Sequence, residues 1–118
     1  MKQNNIQERS YTLSLEIIKF IETLNKKDFT VNVISRQLLR SATSVGANIT
    51  EAQAGSSRKD FTNFYNHALK SANESAYWIR LLKDSNKADL VKTEILMREI
   101  LEIANILGAS IRKLRTKQ

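Results

Sequence analysis

The chain has 118 residues, 42% of them hydrophobic and 26% charged, a composition that predicts one folded domain spanning residues 1–118. It contains no cysteine, no proline, three glycines and one histidine, which excludes disulfides, thiol chemistry and multi-histidine metal sites and disfavours turn-rich β-folds. The formal net charge of +7 favours an anionic partner, although the same charge also serves solubility.

Apolar periodicity predicts two helices in the first half of the chain. The first helix spans about residues 6–26 and carries one apolar stripe, formed by Leu13, Ile17, Ile21 and Leu24. Residues 25–28 break it, and we expect Phe29 and Val31 to pack the connection down. The second helix spans about residues 32–54, with a stripe formed by Ile34, Leu38, Ala42, Val45, Ile49 and Ala52. Gly55 suits a left-handed position after its last residue.

Two further helices are predicted in the second half. The third begins at Ser57, where a capping box with Asp60 is expected, and continues to about Lys83. Its core stripe is Phe61, Tyr65, Ala68, Ala72, Ile79 and Leu82. A short turn at residues 84–86 leads to the fourth helix, about residues 87–113. Its stripe is Leu96, Ile100, Ile103, Leu107, Ile111 and Leu114. Short connections between long helices predict an all-α, antiparallel up-down-up-down four-helix bundle.

Additional apolar residues lie beside the core stripes of the third and fourth helices. They are Phe64, Trp78 and Leu81 on the third helix, and Met97, Leu101, Ala104 and Gly108 on the fourth. A second stripe favours subunit contacts and therefore a homo-oligomer. The alternative is a wide core stripe on a strongly buried helix.

No catalytic or metal-binding motif is present, so we expect neither an enzyme nor a cofactor. His67, Ser71 and Glu74 share one helix face, which is a poor arrangement for a catalytic triad because nothing supplies an oxyanion hole. A di-metal bundle site would need an acid three residues before His67, where Phe64 stands. We instead predict a structural polar network with Arg40 or Arg80 as its charge partner, made of Asn48, Glu51, Ser71 and Glu74.

Basic residues are the candidates for contact with nucleic-acid phosphates. They are Arg36, Arg40, Arg58, Lys59, Arg112, Lys113, Arg115 and Lys117. The alternative for those near the C-terminus is that they stabilise the end of the last helix electrostatically. Residues 1–5 lead into no apolar signal segment, and the apolar runs are too short to cross a bilayer, so a cytoplasmic protein without membrane contact is expected.

Three stretches resemble a known family: QLLRSATSVGANITEA at residues 37–52, SRKDF at 57–61 and ALKSANESAYW at 68–78. They resemble bacterial four-helix-bundle proteins encoded in intervening sequences of large-subunit ribosomal RNA genes. They are also similar to the accessory variability protein of diversity-generating retroelements. Arg40, Asn48, Glu51, Ser71 and Glu74 stand at recurrent polar positions of the family, but many relatives have glycine in place of Ala52 and more charges near residues 70–74.

The resemblance implies a bundle that assembles into a homopentameric ring or barrel and has no enzymatic activity. In the retroelement relatives, the basic barrel binds nucleic acid and a reverse transcriptase. The sequence therefore predicts a non-enzymatic oligomeric scaffold that binds RNA or DNA through a basic surface. The alternative is a scaffold that docks a partner protein and has no role in nucleic-acid binding.

Overall fold

Four helices form the protein in a computed structural model that describes residues 2–55 and 57–116. Their bounds are α1 Lys2–Glu22, α2 Phe29–Ala54, α3 Arg58–Asp84 and α4 Leu90–Thr116. The described residues form no strand, so the predicted all-α class and the four-helix bundle are confirmed. Within the same residues, no helix combines the length and the apolar character that a membrane span requires.

Neighbouring helices run antiparallel, and the bundle measures 48 × 22 × 21 Å. The pair α2–α3 packs most extensively and the pair α1–α4 least. The predicted stripes face one continuous core, with Ile21, Phe61 and Leu114 only partly buried at its margin. The largest fully buried side chains are Leu13, Ile17, Leu38, Ile49, Ile79, Leu82, Ile100, Ile103 and Leu107.

The connection between α1 and α2 differs from the prediction. The α1 helix ends at Glu22 because the next two backbone N–H groups bond to carbonyls three residues back, which tightens the last turn. The α2 helix begins at Phe29, three residues early, because the Asp28 carboxylate caps it by accepting the Val31 N–H at 3.2 Å. Val31 is buried as expected, but Phe29 is 81% exposed and does not pack the connection down.

The connection between α2 and α3 is capped on one side as predicted. Ser57 accepts the Asp60 N–H at 3.0 Å and serves as the N-cap of α3. Gly55 is extended, with φ −66° and ψ 152°, so the expected left-handed conformation is wrong. Its N–H still bonds to the Ala52 carbonyl at 3.2 Å, which satisfies one end group of α2 without a positive φ.

The fourth helix begins later and ends later than predicted. The Asp89 carboxylate accepts the Lys92 N–H at 2.9 Å, so Asp89 acts as the cap and α4 starts at Leu90 rather than near Lys87. In the turn before it, Asn86 has a φ of 58°, a conformation that asparagine tolerates better than most residues. The helix then continues to Thr116, which places the basic residues of its C-terminal part on a regular helix.

Candidate nucleic-acid interface and polar seam

The antiparallel order brings the end of α2, the start of α3 and the end of α4 to the same end of the bundle. Five basic side chains are exposed there, and we call this set the basic end: Arg58, Lys59, Arg112, Lys113 and Arg115. Residues 108–116 contain no acidic residue, whereas Glu51 and Asp60 lie near the junction of α2 and α3. The basic end therefore combines cations from the start of α3 and the end of α4, two helix ends that lie close in space but far apart in sequence.

An open groove lies at the basic end, between the α2–α3 connection and the last turns of α4. Its lining residues are Ala52, Gln53, Gly55, Ser57, Arg58, Phe61 and Leu114. The ring of Phe61 contacts that of Tyr65, with centroids 4.4 Å apart and planes inclined by 34°. Burial raises the pKa of the Tyr65 phenol above its usual value.

Two of the predicted phosphate contacts lie elsewhere. Arg36 and Arg40 are exposed on α2, and Arg36 stands 18 residues before the end of that helix, which is about 27 Å along its axis. Arg40 is also engaged, since its guanidinium forms an ion pair with Glu74 and bonds to the Gln37 side-chain oxygen at 2.9 Å. The eight candidates therefore do not form one patch, and Lys117 lies outside the described residues.

Several cations away from the basic end are paired with acids. Lys87 Nζ lies 2.6 Å from the Asp28 carboxylate and lowers the pKa of that carboxyl, with a further contribution from the Val31 N–H. Arg9 Nη2 lies 2.7 Å from Glu99 and also binds Glu102, and these hydrogen bonds raise the pKa of Arg9 above its usual range. Such pairing partly neutralises the positive charge of the bundle away from the basic end.

Small polar residues line the contact between α2 and α3, and we call this row the polar seam. Ser41 and Ser75 are both fully buried, with their hydroxyl oxygens 2.8 Å apart. One turn further along, Ser71 donates to the Ser44 hydroxyl at 3.1 Å. Asn48 continues the row, donating to the Ser44 carbonyl at 2.8 Å and to its hydroxyl at 3.0 Å. The Ser41–Ser75 and Ser71–Ser44 bonds join the two helices through short side chains that permit a close approach, whereas the Asn48 bonds lie within α2.

The structure brings three of the four predicted network residues to this seam. Ser71 and Asn48 meet through Ser44, and Glu74 lies at the outer edge, where it pairs with Arg40 and accepts the Trp78 Nε1–H at 3.1 Å. Glu51 is exposed on α2, and its side chain joins no hydrogen bond within residues 2–55 and 57–116. Apolar periodicity does not identify the buried members Ser41 and Ser75. A usable signal is nevertheless present, because Ser41 follows Leu38, and Ser75 follows Ala72, by three residues, a spacing that places each serine on the buried face of its helix.

The face that carries His67 holds no assembled triad. His67 is exposed, Ser71 is bonded to a serine of α2, and the Glu74 carboxylate is occupied by Arg40 and Trp78. Among the residues that the structure describes, no group of three or more histidine, cysteine, aspartate or glutamate side chains could hold a metal ion.

The residues predicted to contact another subunit fall into two groups. Phe64, Trp78 and Met97 are partly buried and pack against the core of their own bundle. Leu81 and Leu101 are 36% and 47% exposed, so they retain apolar surface that a neighbouring subunit could cover. Ala104, assigned to the same second stripe of α4, is instead 92% buried, which shows that the core stripe of α4 is wider than predicted on that side.

Comparison with known proteins places the chain in a family. None of the curated proteins matches it significantly. Among solved structures, a protein of unknown function from the S23 ribosomal protein family of Bacteroides thetaiotaomicron shares 36% identity and superposes with a TM-score of 0.83. That similarity covers 90% of this chain and 97% of the other. Residues 2–109 match the family described as 23S rRNA-intervening sequence protein, and the chain belongs to that family.

Proposed function

We propose that this protein is a non-enzymatic oligomeric scaffold that binds RNA through its basic end. The observation that carries the proposal is the meeting of five exposed cations from α3 and α4 at one end of the bundle. The family description refers to intervening sequences of 23S rRNA, which makes RNA the first ligand to test. A non-enzymatic role is supported by the occupied partners of Ser71 and Glu74 beside His67.

The magnitude of the electrostatic contribution follows from the number of cations. Each phosphate neutralised by lysine or arginine releases counterions, so the logarithm of affinity falls linearly with the logarithm of salt concentration. Five contacts at the basic end predict a slope of about −4, between the values for single strands and duplexes. If several subunits present basic ends to one RNA, weak contacts combine through avidity.

Oligomerisation is supported by the exposed apolar surface of α3 and α4. Leu81 and Leu101 retain more than a third of their surface, and neither is needed to complete the core of the bundle. The homopentameric ring comes from the family resemblance described above. In such an assembly the basic ends would be repeated by symmetry, which multiplies the number of phosphate contacts without changing the bundle.

The test is binding of a structured RNA over a salt series that begins at about 50 mM, where phosphate contacts are strong. The double variant Lys113→Gln/Arg115→Gln removes two cations of the basic end and should make the slope shallower by about 1.4 to 1.8. The matched control, Lys27→Gln/Lys70→Gln, removes the same charge from two exposed positions outside the basic end and should preserve most of the slope.

Two outcomes would contradict the proposal. If both double variants lower the slope equally, binding depends on net charge and not on the basic end. If the protein does not bind RNA even at about 50 mM salt, the nucleic-acid role is wrong. The alternative, a scaffold that docks a partner protein, would then be favoured by the exposed apolar residues of α4, among them Val91, Ile95 and Leu101.

A further inference from the structure

The groove at the basic end contains an aromatic side chain. Phe61 lines the groove together with Arg58 and Leu114, and it keeps part of its surface exposed. Its ring is supported from within the bundle by Tyr65, which is 95% buried. Phe61 is therefore an apolar platform with a fixed position, in a groove whose rim carries the cations of the basic end.

A groove that combines an aromatic ring with cations differs from a surface that binds phosphates alone. Proteins that bind single-stranded nucleic acids combine a positively charged groove with aromatic rings on which bases stack. Bases inside a continuous A-form duplex have both faces covered by their neighbours, so only unpaired bases in loops, bulges and ends can stack on a protein ring. A groove that held duplex phosphates alone would gain nothing from a phenyl ring on its wall.

We infer that the groove is a subsite for one unpaired nucleobase, which stacks on Phe61 while the flanking phosphates contact the basic end. The inference rests on the proposed function and adds the class of ligand, a single-stranded segment of nucleic acid. Lys59 and Lys113 are exposed on the two helices that flank the groove, where they can reach phosphates on either side of the stacked base.

Another exposed aromatic residue provides a comparison within the same chain. Tyr77 is 57% exposed on α3 and its ring contacts Trp78 edge-on, with centroids 5.2 Å apart. However, the nearby cations are paired, Arg80 with Asp84 at 3.5 Å and Arg40 with Glu74. Tyr77 therefore has exposed ring surface outside the basic end, which makes it a suitable control position.

The test compares a single-stranded RNA of roughly 12 nucleotides, within the site sizes of known single-strand binders, with a blunt RNA duplex of the same length. Binding is followed by fluorescence anisotropy at about 50 mM salt. Phe61→Leu should weaken binding of the single strand by about tenfold, within the range that removal of one stacking ring produces, and should leave duplex binding unchanged. Tyr77→Leu should change neither, and Phe61→Tyr should retain the affinity for the single strand.

The outcomes separate this inference from the proposed function. Equal losses for single strand and duplex in Phe61→Leu, or no loss for either, would overturn the stacking subsite. If Phe61→Leu weakens binding of neither probe but Lys113→Gln/Arg115→Gln still makes the salt dependence of RNA affinity shallower, the stacking subsite is wrong and RNA binding by the basic end stands. If the unmodified protein binds neither probe, both proposals are wrong. Because Phe61 also contacts the core, loss of single-strand binding in Phe61→Tyr, whose fold circular dichroism checks, would likewise overturn the inference.

Discussion

Two glycines inside helices offer a direct test of how closely α1 approaches α2. A methyl group added at Gly108 of α4 would have the Arg112 guanidinium nitrogen as its nearest neighbour, at 3.7 Å. At Gly46 of α2, the same methyl group would lie 3.3 Å from the Ser10 carbonyl oxygen and 3.4 Å from its hydroxyl. The substitutions Gly46→Ala and Gly108→Ala are chemically identical, so any difference between them reports on these surroundings.

The expected magnitudes follow from helix propensity and packing. Alanine in place of glycine in a helix interior stabilises by about 0.8–1 kcal/mol, and Gly108→Ala should show this full gain because a flexible side chain can move aside. At Gly46 the neighbour is backbone, and Ser10 is 1% exposed, so α1 can yield only by disturbing its packing. Overpacking typically costs about 1–3 kcal/mol, so Gly46→Ala should be neutral or destabilising by up to about 2 kcal/mol.

Urea denaturation followed by circular dichroism measures the free energy of unfolding of both variants. All measurements use one protein concentration, because the stability of an oligomer depends on it. The difference between the variants should be at least about 1 kcal/mol, equivalent to several degrees in Tm for a domain of this size. If Gly46→Ala stabilises as much as Gly108→Ala, the close contact between Ser10 and Gly46 does not constrain the bundle and the reasoning is refuted.

Three further predictions concern the polar seam, the cap of α2 and subunit contacts. Ser75→Ala should destabilise by about 0.5–1.5 kcal/mol, the net value of one hydrogen bond, because the buried Ser41 hydroxyl loses Ser75 and keeps only its bond to the Leu38 carbonyl at 3.3 Å. The double variant Ser41→Ala/Ser75→Ala should cost less than the sum of the single variants, and additive values in thermal denaturation would disprove the coupling. The pKa of Asp28 is lower in the folded protein than its unfolded value of 3.8, so the ionised carboxylate stabilises the fold above pH 3.8. This stabilisation is lost as the pH falls from 3.8 through the lower pKa of the folded state. The unmodified protein should therefore have a higher free energy of unfolding than Asp28→Asn at neutral pH, and this difference should disappear as the pH is lowered. A difference that persists at low pH would count against the pair with Lys87. Finally, Leu101→Glu should lower the mass measured by light scattering without changing helicity, whereas a monomeric mass for the unmodified protein at micromolar concentration would refute the oligomer itself.

The sequence was sufficient to predict the helices and most of the core, because apolar spacing directly reports the buried face of a helix. Helix starts were less accurate. Asp28 and Asp89 are ordinary capping residues, but periodicity alone does not identify them, and their carboxylates set the starts of α2 and α4. The left-handed conformation predicted for Gly55 is wrong because a glycine permits that conformation without requiring it.

The candidate site was predictable in part. The meeting of Lys59 with Lys113 and Arg115 follows from antiparallel topology and the predicted helix ends. The same topology places Arg36 far from that group. The sequence prediction grouped the basic residues by charge alone and therefore did not separate Arg36 from them. The sequence left Arg40 and Arg80 open as the charge partner of the polar network. Arg40 pairs with Glu74 and Arg80 with Asp84, a choice that depends on the register between α2 and α3 and that spacing within one helix does not reveal.

The unequal contacts between helices have a consequence for the order in which the molecule opens. The α1 helix packs least extensively against α4, and the bonds of Arg9 to Glu99 and Glu102 span that contact at the partly exposed surface. The α2–α3 pair is joined by buried hydroxyl groups and packs most extensively. Cooperative units with fewer buried contacts open at lower free energy, so amide protons of α1 should exchange with deuterium before those of α2 and α3. Detachment of α1 would expose the apolar side of α4 for a moment, and an identical helix from a second chain could occupy the same place by domain swapping.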